Sequence, residues 1–110
     1  MTTVIFSHGQ ESGPWGTKIR AMADMVKSIG CSADSIDYQG IADPTERVNK
    51  LLVECADIDD SLLLVGSSMG GHVATAAAER AAAILEREIL RLESIGTSVL
   101  AVGAAQEDEK

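Results

Sequence analysis

The chain has 110 residues, of which 45% are hydrophobic and 24% are charged, and this length and composition are typical of one globular domain rather than two. Seventeen acidic residues against nine basic ones give a formal net charge of -8, which repels the phosphates of nucleic acids and of anionic lipids. We therefore expect no nucleic-acid partner and no membrane partner.

The N-terminus and the two cysteines favour a cytoplasmic protein. The N-terminal residues lack the basic region and the hydrophobic stretch of a signal peptide, and no apolar run approaches the roughly 20 residues that span a bilayer. Cys31 and Cys55 form neither a CxxC pair nor a metal-ligand pattern, as suits a reducing compartment. We expect no metal and no cofactor.

The first part of the chain predicts a strand, a loop and a helix. The apolar run at residues 4–6 stops at the Ser-His-Gly sequence of residues 7–9, as a buried strand does at the edge of a sheet, and predicts a strand over residues 4–7. Residues 10–16 are rich in Gly, Pro and Ser and predict a loop. Within residues 17–29 apolar side chains recur at helical spacing, and Gly30 then predicts the end of the helix.

The middle of the chain predicts two more strands and a helix between them. Residues 35–38 predict the second strand. Asp43 and Pro44 predict the start of the second helix, because Asp caps helices and Pro fits the first helical position. Residues 61–66 form a continuous apolar run, which is typical of a parallel strand buried on both faces, and we expect this strand to be the central one.

The last part of the chain changes character. Residues 81–95 extend a helical pattern with strong helix formers, and residues 97–102 predict a fourth strand. A single helix from Gly70 to Ser94 would be longer than a typical strand, which measures about 17 to 20 Å, and would extend beyond the sheet. The apolar stripe of the extending part must then be covered by the chain's own core or by a partner chain. Residues 106–110 are mostly acidic and predict a solvated tail.

These elements predict an α/β fold class. Strands that alternate with helices imply right-handed crossovers and a parallel sheet. We expect a single three-layer α/β/α domain over residues 1–110, with a small and mostly parallel four-stranded sheet.

Residues 66–70, Gly-Ser-Ser-Met-Gly, match the G-x-S-x-G pattern between a buried strand and a helix. In this context the pattern predicts a nucleophile elbow, which projects the Ser68 hydroxyl at the carboxyl end of the sheet. Gly66 and Gly70 are then a steric requirement of the tight turn. A plain strand-to-helix turn, or an anion site at the helix N-terminus, are the alternatives.

Together with the Ser-His-Gly-Gln sequence at residues 7–10 and the loop after it, this motif makes the chain resemble the small single-domain esterase branch of the α/β-hydrolase superfamily, over about residues 3–80. The resemblance implies a spatial strand order of second, first, third, fourth. It also implies that the backbone N–H groups of Gln10 and Met69 form an oxyanion hole, and that His8 and Gly9 support it.

In that superfamily the catalytic acid and histidine lie on loops after later strands, yet here the only histidine after Ser68 is His72, four residues downstream. The resemblance therefore implies a C-terminally truncated or rearranged member. His72 is the candidate base, because it stands on the first turn of the helix that follows the elbow. His8 and a residue from a partner chain are the alternatives.

Two functions stay open on this sequence. One is a serine esterase that hydrolyses small-molecule esters through Ser68. The other is a non-catalytic remnant that binds or dimerises, because a serine hydroxyl without a positioned base is a weak nucleophile. We expect a homodimer, formed through the helix at residues 81–95 or through residues 97–102 as an exposed edge strand.

Overall fold

The computed structural model describes residues 2–58, 61–85, 89–94 and 97–102, with side chains up to residue 81. The elements are, in chain order, β1 (Thr2–Ser7), α1 (Thr17–Ser28), β2 (Ser32–Ile36), α2 (Pro44–Ala56), β3 (Ser61–Ser67), α3 (Met69–Leu85), β4 (Ile89–Ser94) and β5 (Thr97–Val102). Strands and helices alternate as far as α3, which confirms the predicted α/β class.

The described strands form one sheet with the order β2-β1-β3-β5-β4. β1 lies between β2 and β3 and is parallel to both, so three strands make a parallel core in the predicted order. In the register of β1 and β3, Ser7 stands opposite Gly66. The two strands therefore end side by side, and the segments that follow them leave the sheet at the same edge.

The far side of the sheet differs from the prediction. β5 is antiparallel to β3, and a fifth strand, β4, pairs antiparallel with β5. The expectation of four mostly parallel strands was therefore wrong in its last part. β4 and β5 follow each other along the chain, and antiparallel strands can do so without the crossover helix that parallel strands need.

The predicted helix at residues 81–95 is present as far as Leu85 and was wrong over residues 89–94, while residues 86–88 and 95 lie outside the described part of the chain. α3 ends at Leu85, and residues 89–94 are a strand that pairs residue by residue with β5, from Ile89 opposite Val102 to Ser94 opposite Thr97. Helix propensity differs by only about 0.7 kcal/mol per residue among ordinary residues, so tertiary pairing overrides it. Because β5 lies between β3 and β4, residues 97–102 are not an edge strand, and neither element proposed for the dimer contact exists in that form.

The second strand begins and ends earlier than predicted, at residues 32–36 instead of 35–38. Tyr38 stands outside the strand because its backbone N–H donates to the His8 ring at 2.8 Å.

By contrast, α2 begins where the sequence predicts. The Asp43 side chain accepts a hydrogen bond from the Thr45 N–H at 3.0 Å, and Pro44 is the first helical residue.

Helices cover both faces of the sheet, which confirms the three layers. α1 packs on one face through a small core formed by Val4, Phe6, Ile19, Ala23 and Val65. α2 and α3 pack on the other face around a larger core that includes Ile5, Leu51, Leu64, Val73 and Ala77. In the described part of the chain no helix is both long and apolar enough to cross a membrane.

Candidate active site

Ser68 is the single residue between the end of β3 and the start of α3. Its φ is 54°, which makes it the only residue other than glycine with a positive φ among those described. This left-handed conformation costs about 1–2 kcal/mol and persists only where the surrounding structure enforces it. The Gly71 N–H donates to the Ser68 carbonyl oxygen at 2.9 Å and closes the turn.

Two glycines allow this turn to form. A Cβ built on Gly66 would overlap the Gly70 carbonyl group and lie 2.6 Å from the Gly71 nitrogen. A Cβ built on Gly70 would overlap the Ser7 carbonyl oxygen and lie 2.8 Å from that of His8. The first turn of α3 therefore packs against the bare backbone of β1 and β3, and it holds Ser68 at the carboxyl end of both strands.

The Ser68 side chain is exposed and lies beside Gly9. A Cβ built on Gly9 would lie 3.5 Å from the Ser68 Cβ, an ordinary contact distance. The Gly9 N–H donates to the Ser12 hydroxyl at 3.0 Å, so the loop after β1 is tied down next to the serine. A cleft of about 260 Å³ opens here, and it is lined by Ser67, Ser68 and residues between His8 and Ile19.

The two proposed oxyanion donors each follow a residue of this contact along the chain, Met69 after Ser68 and Gln10 after Gly9. The first N–H groups of a helix have no acceptor within the helix, and Met69 is the first residue of α3. The Gln10 N–H follows Gly9 along the chain and has no acceptor in the part of the chain that the structure describes. The positive end of the α3 dipole also favours negative charge at Ser68.

His8 is 1% exposed and is bonded through both ring nitrogens. Its Nε2 accepts the Tyr38 N–H at 2.8 Å, so that nitrogen carries no proton. Its Nδ1 then carries the proton and donates it to the Gly9 carbonyl oxygen at 2.7 Å. While these bonds hold, neither nitrogen can take a proton from Ser68, and His8 braces the turn instead of serving as a base.

Tyr38 is buried under this turn. Its hydroxyl is hydrogen-bonded to the Ser7 hydroxyl at 2.9 Å, and its ring lies 5.3 Å from the His8 ring, measured between centroids. Burial raises the pKa of Tyr38 to about 12, although the bond to Ser7 acts in the opposite direction. The phenol therefore stays neutral at physiological pH and acts as a fixed hydrogen-bond partner.

His72 is exposed on the outer side of α3, whereas its neighbours Val73 and Ala74 are buried. Within the described side chains, the imidazole of His72 bonds neither to the Ser68 hydroxyl nor to a carboxylate. The structure thus brings Ser68, Gly9 and the helix N-terminus together but leaves the candidate base apart from them.

Sequence reasoning missed Arg47, which is 2% exposed and lies beneath the same turn. Its Nε donates to the Ile41 carbonyl oxygen at 2.6 Å, and its Nη1 donates to the Gly9 carbonyl oxygen at 3.2 Å. The sequence does hold a signal: Arg47 shares a helical face with Leu51 and Cys55, which are both buried. Its charge made a surface position the ordinary expectation.

Comparison with solved structures supports the same fold. The chain is similar to a candidate hydrolase of the alpha/beta superfamily from Xanthomonas campestris pv. campestris, with a TM-score of 0.64 and 24% sequence identity. The match covers 71% of this chain and 51% of that one, so the chain spans about half the length of the structure it matches. A likeness at this identity shows the fold alone, and this fold is the one that the resemblance implies.

Sequence comparison assigns the family. No curated protein matches the chain significantly. A family model matches residues 3–85, which include β1 to α3 and therefore the whole candidate site. The chain belongs to the uncharacterised protein family UPF0227.

Proposed function

We propose that this chain carries the nucleophile of a serine hydrolase that acts on small-molecule esters or related acyl compounds. The conformation of Ser68 is the observation that supports this most directly. A strained serine is held at φ 54° at a helix N-terminus and exposed to a cleft, and strain of this kind tends to cluster at active sites.

In the proposed reaction the Ser68 Oγ attacks the acyl carbon of the ester. The carbonyl oxygen takes up negative charge, and the N–H groups of Met69 and Gln10 would donate to it. The hydroxyl proton passes to a base and then to the leaving alkoxide as the ester bond breaks. Each such donor contributes about 10²–10³-fold to kcat in hydrolases where it has been removed.

For the base we propose His72, because it is the only histidine after Ser68 in the sequence and lies exposed on the first turn of α3, which begins directly after Ser68. A base must come within about 2.6–3.2 Å of the serine oxygen, and such bonds often form only when substrate is bound. A base from a partner chain is the alternative that the His8 geometry leaves open, because both His8 nitrogens are engaged.

A second function, that of a non-catalytic binding or dimerisation module, is favoured because neither histidine is placed as a base: both ring nitrogens of His8 are engaged, and His72 makes no bond to the Ser68 hydroxyl among the described side chains. In that case β4 would offer the pairing edge, since it is the terminal strand on its side of the described sheet. The molecular mass in solution and the ester assay below separate the two functions.

The test is hydrolysis of short-chain p-nitrophenyl esters by the wild type, Ser68→Ala and His72→Ala. Ser28→Ala is a matched control, since Ser28 lies at the end of α1 and bonds the Met25 carbonyl oxygen. We expect activity in the wild type and in Ser28→Ala, and its loss in Ser68→Ala. Equal background rates in a folded wild type and in Ser68→Ala would favour the non-catalytic module.

A further inference from the structure

The Gly9 carbonyl oxygen accepts two hydrogen bonds from buried side chains. One comes from the His8 Nδ1 at 2.7 Å and the other from the Arg47 Nη1 at 3.2 Å. The same Nη1 lies 3.5 Å from the His8 carbonyl oxygen, so the guanidinium group sits under the whole His8–Gly9 turn. One of the two donors is a full positive charge, which makes a stronger bond than a neutral donor does.

These bonds act on the Gln10 N–H, because it belongs to the same peptide group as the Gly9 carbonyl. The peptide is planar, and no cis peptide is present in the described chain. In a trans peptide the N–H points opposite to the C=O. Fixing the Gly9 oxygen toward Arg47 therefore fixes the Gln10 N–H in the direction away from Arg47. A positive donor on the oxygen also polarises the amide and strengthens its N–H as a donor.

We propose that Arg47 is a positioning residue for the oxyanion hole: it acts through the Gly9 carbonyl to hold the Gln10 N–H in its donating direction. This inference rests on the proposed function of Ser68 and Gln10. Arg47 itself does not touch the substrate.

The environment of Arg47 fits a positioning role better than a stabilising ion pair. A buried cation is costly unless it is paired or fully hydrogen-bonded, and no carboxylate lies within ion-pair distance of Arg47 among the described residues. Its partners are backbone carbonyls and the Tyr38 ring, whose centroid lies 5.3 Å from the guanidinium carbon. The charge is thus directed at the turn beside Ser68.

An arginine is required because two nitrogens act at once. Nε donates to Ile41 and Nη1 to Gly9, and the planar fork fixes the angle between these bonds. A lysine has a single nitrogen on a flexible stem and cannot hold both carbonyl groups in that geometry.

The test compares Arg47→Met and Arg47→Lys with Lys50→Met. Lys50 lies on the same helix and donates its Nζ to the Asp37 carbonyl oxygen at 2.7 Å, so its loss also removes one cation and one bond to a backbone carbonyl. Two quantities are measured: the rate constant of Ser68 labelling by a fluorophosphonate, and the amide ¹⁵N chemical shift of Gln10, which responds to a hydrogen bond on the preceding carbonyl.

We expect Arg47→Met to slow labelling roughly 10²-fold, because misplacing a catalytic group by about 1 Å can cost that much. The Gln10 ¹⁵N shift should move upfield in the same variant. Arg47→Lys should restore neither value in full. Lys50→Met should label at the wild-type rate.

If the wild type is labelled, either of two results would overturn the inference. One is a Gln10 ¹⁵N shift that does not change in Arg47→Met, and the other is labelling of folded Arg47→Met at the wild-type rate. A wild type that is not labelled would instead contradict the proposed function. In that case the Gln10 shift alone decides whether Arg47 sets the peptide orientation.

Discussion

The Gly70 Cα lies directly against the Ser7 carbonyl group, so the first turn of α3 touches the backbone at the end of β1. This contact sets the distance between Ser68 and the turn that follows β1. No residue with a side chain fits at position 70 without moving one of the two elements.

Gly70→Ala should therefore destabilise the fold by about 1–3 kcal/mol, the usual cost of overpacking a tight contact. Gly16→Ala is the control, because nothing lies within 4 Å of a Cβ built there and its φ of -68° suits alanine. Urea unfolding measures both. Equal stability of the two variants would show that α3 does not pack closely against the Ser7 carbonyl group.

Ser68 and Ser67 should respond oppositely to glycine. Ser68→Gly should be more stable than Ser68→Ala by up to about 1 kcal/mol, since glycine adopts positive φ without strain. Ser67→Gly should be less stable than Ser67→Ala by about 0.5–1 kcal/mol, because Ser67 belongs to β3. The urea unfolding midpoints of the four variants measure these differences. If the glycine variant were less stable than the alanine variant at both positions, the result would argue against strain at Ser68.

Tyr38 should make the stability of the fold depend on alkaline pH. Its pKa rises from 10.0 to about 12 in the folded chain, because burial favours the neutral phenol. The buried neutral phenol therefore contributes its full stability below pH 10, and this contribution to the free energy of unfolding is lost as the pH rises toward 12. Urea unfolding across this range should show a decline in the wild type that is reduced in Tyr38→Phe. Since Tyr38 is the only tyrosine, the absorbance of its phenolate reports the titration directly. Ionisation at the ordinary pKa would contradict the burial of this side chain.

Local features around Ser68 were predictable from the sequence because they depend on neighbours along the chain. The apolar run of β3 and the small residues of α3 predict a strand and a helix with a tight turn between them, and both elements are present. The Asp43 cap was predictable for the same reason, since a cap involves only the first turn of its helix.

The features that were missed depend on contacts with other segments of the fold. Residues 89–94 carry good helix formers, and they form a strand because they pair with residues 97–102, which in turn pair with β3. Arg47 reaches Gly9, which is far away in the sequence, and its burial follows from the position of the β1 turn rather than from its own segment. Helical spacing with Leu51 placed it on a buried face, but its charge argued for the surface.

Fluorophosphonate labelling of the purified chain, with the modified residue located by peptide mass mapping, tests directly whether Ser68 is an activated nucleophile. Labelling of Ser68 in the wild type, lost in Ser68→Ala and strongly slowed in His72→Ala, is the result that we predict. A folded wild type that is not labelled, or that is labelled at a serine other than Ser68, would contradict the assignment of Ser68 as the nucleophile.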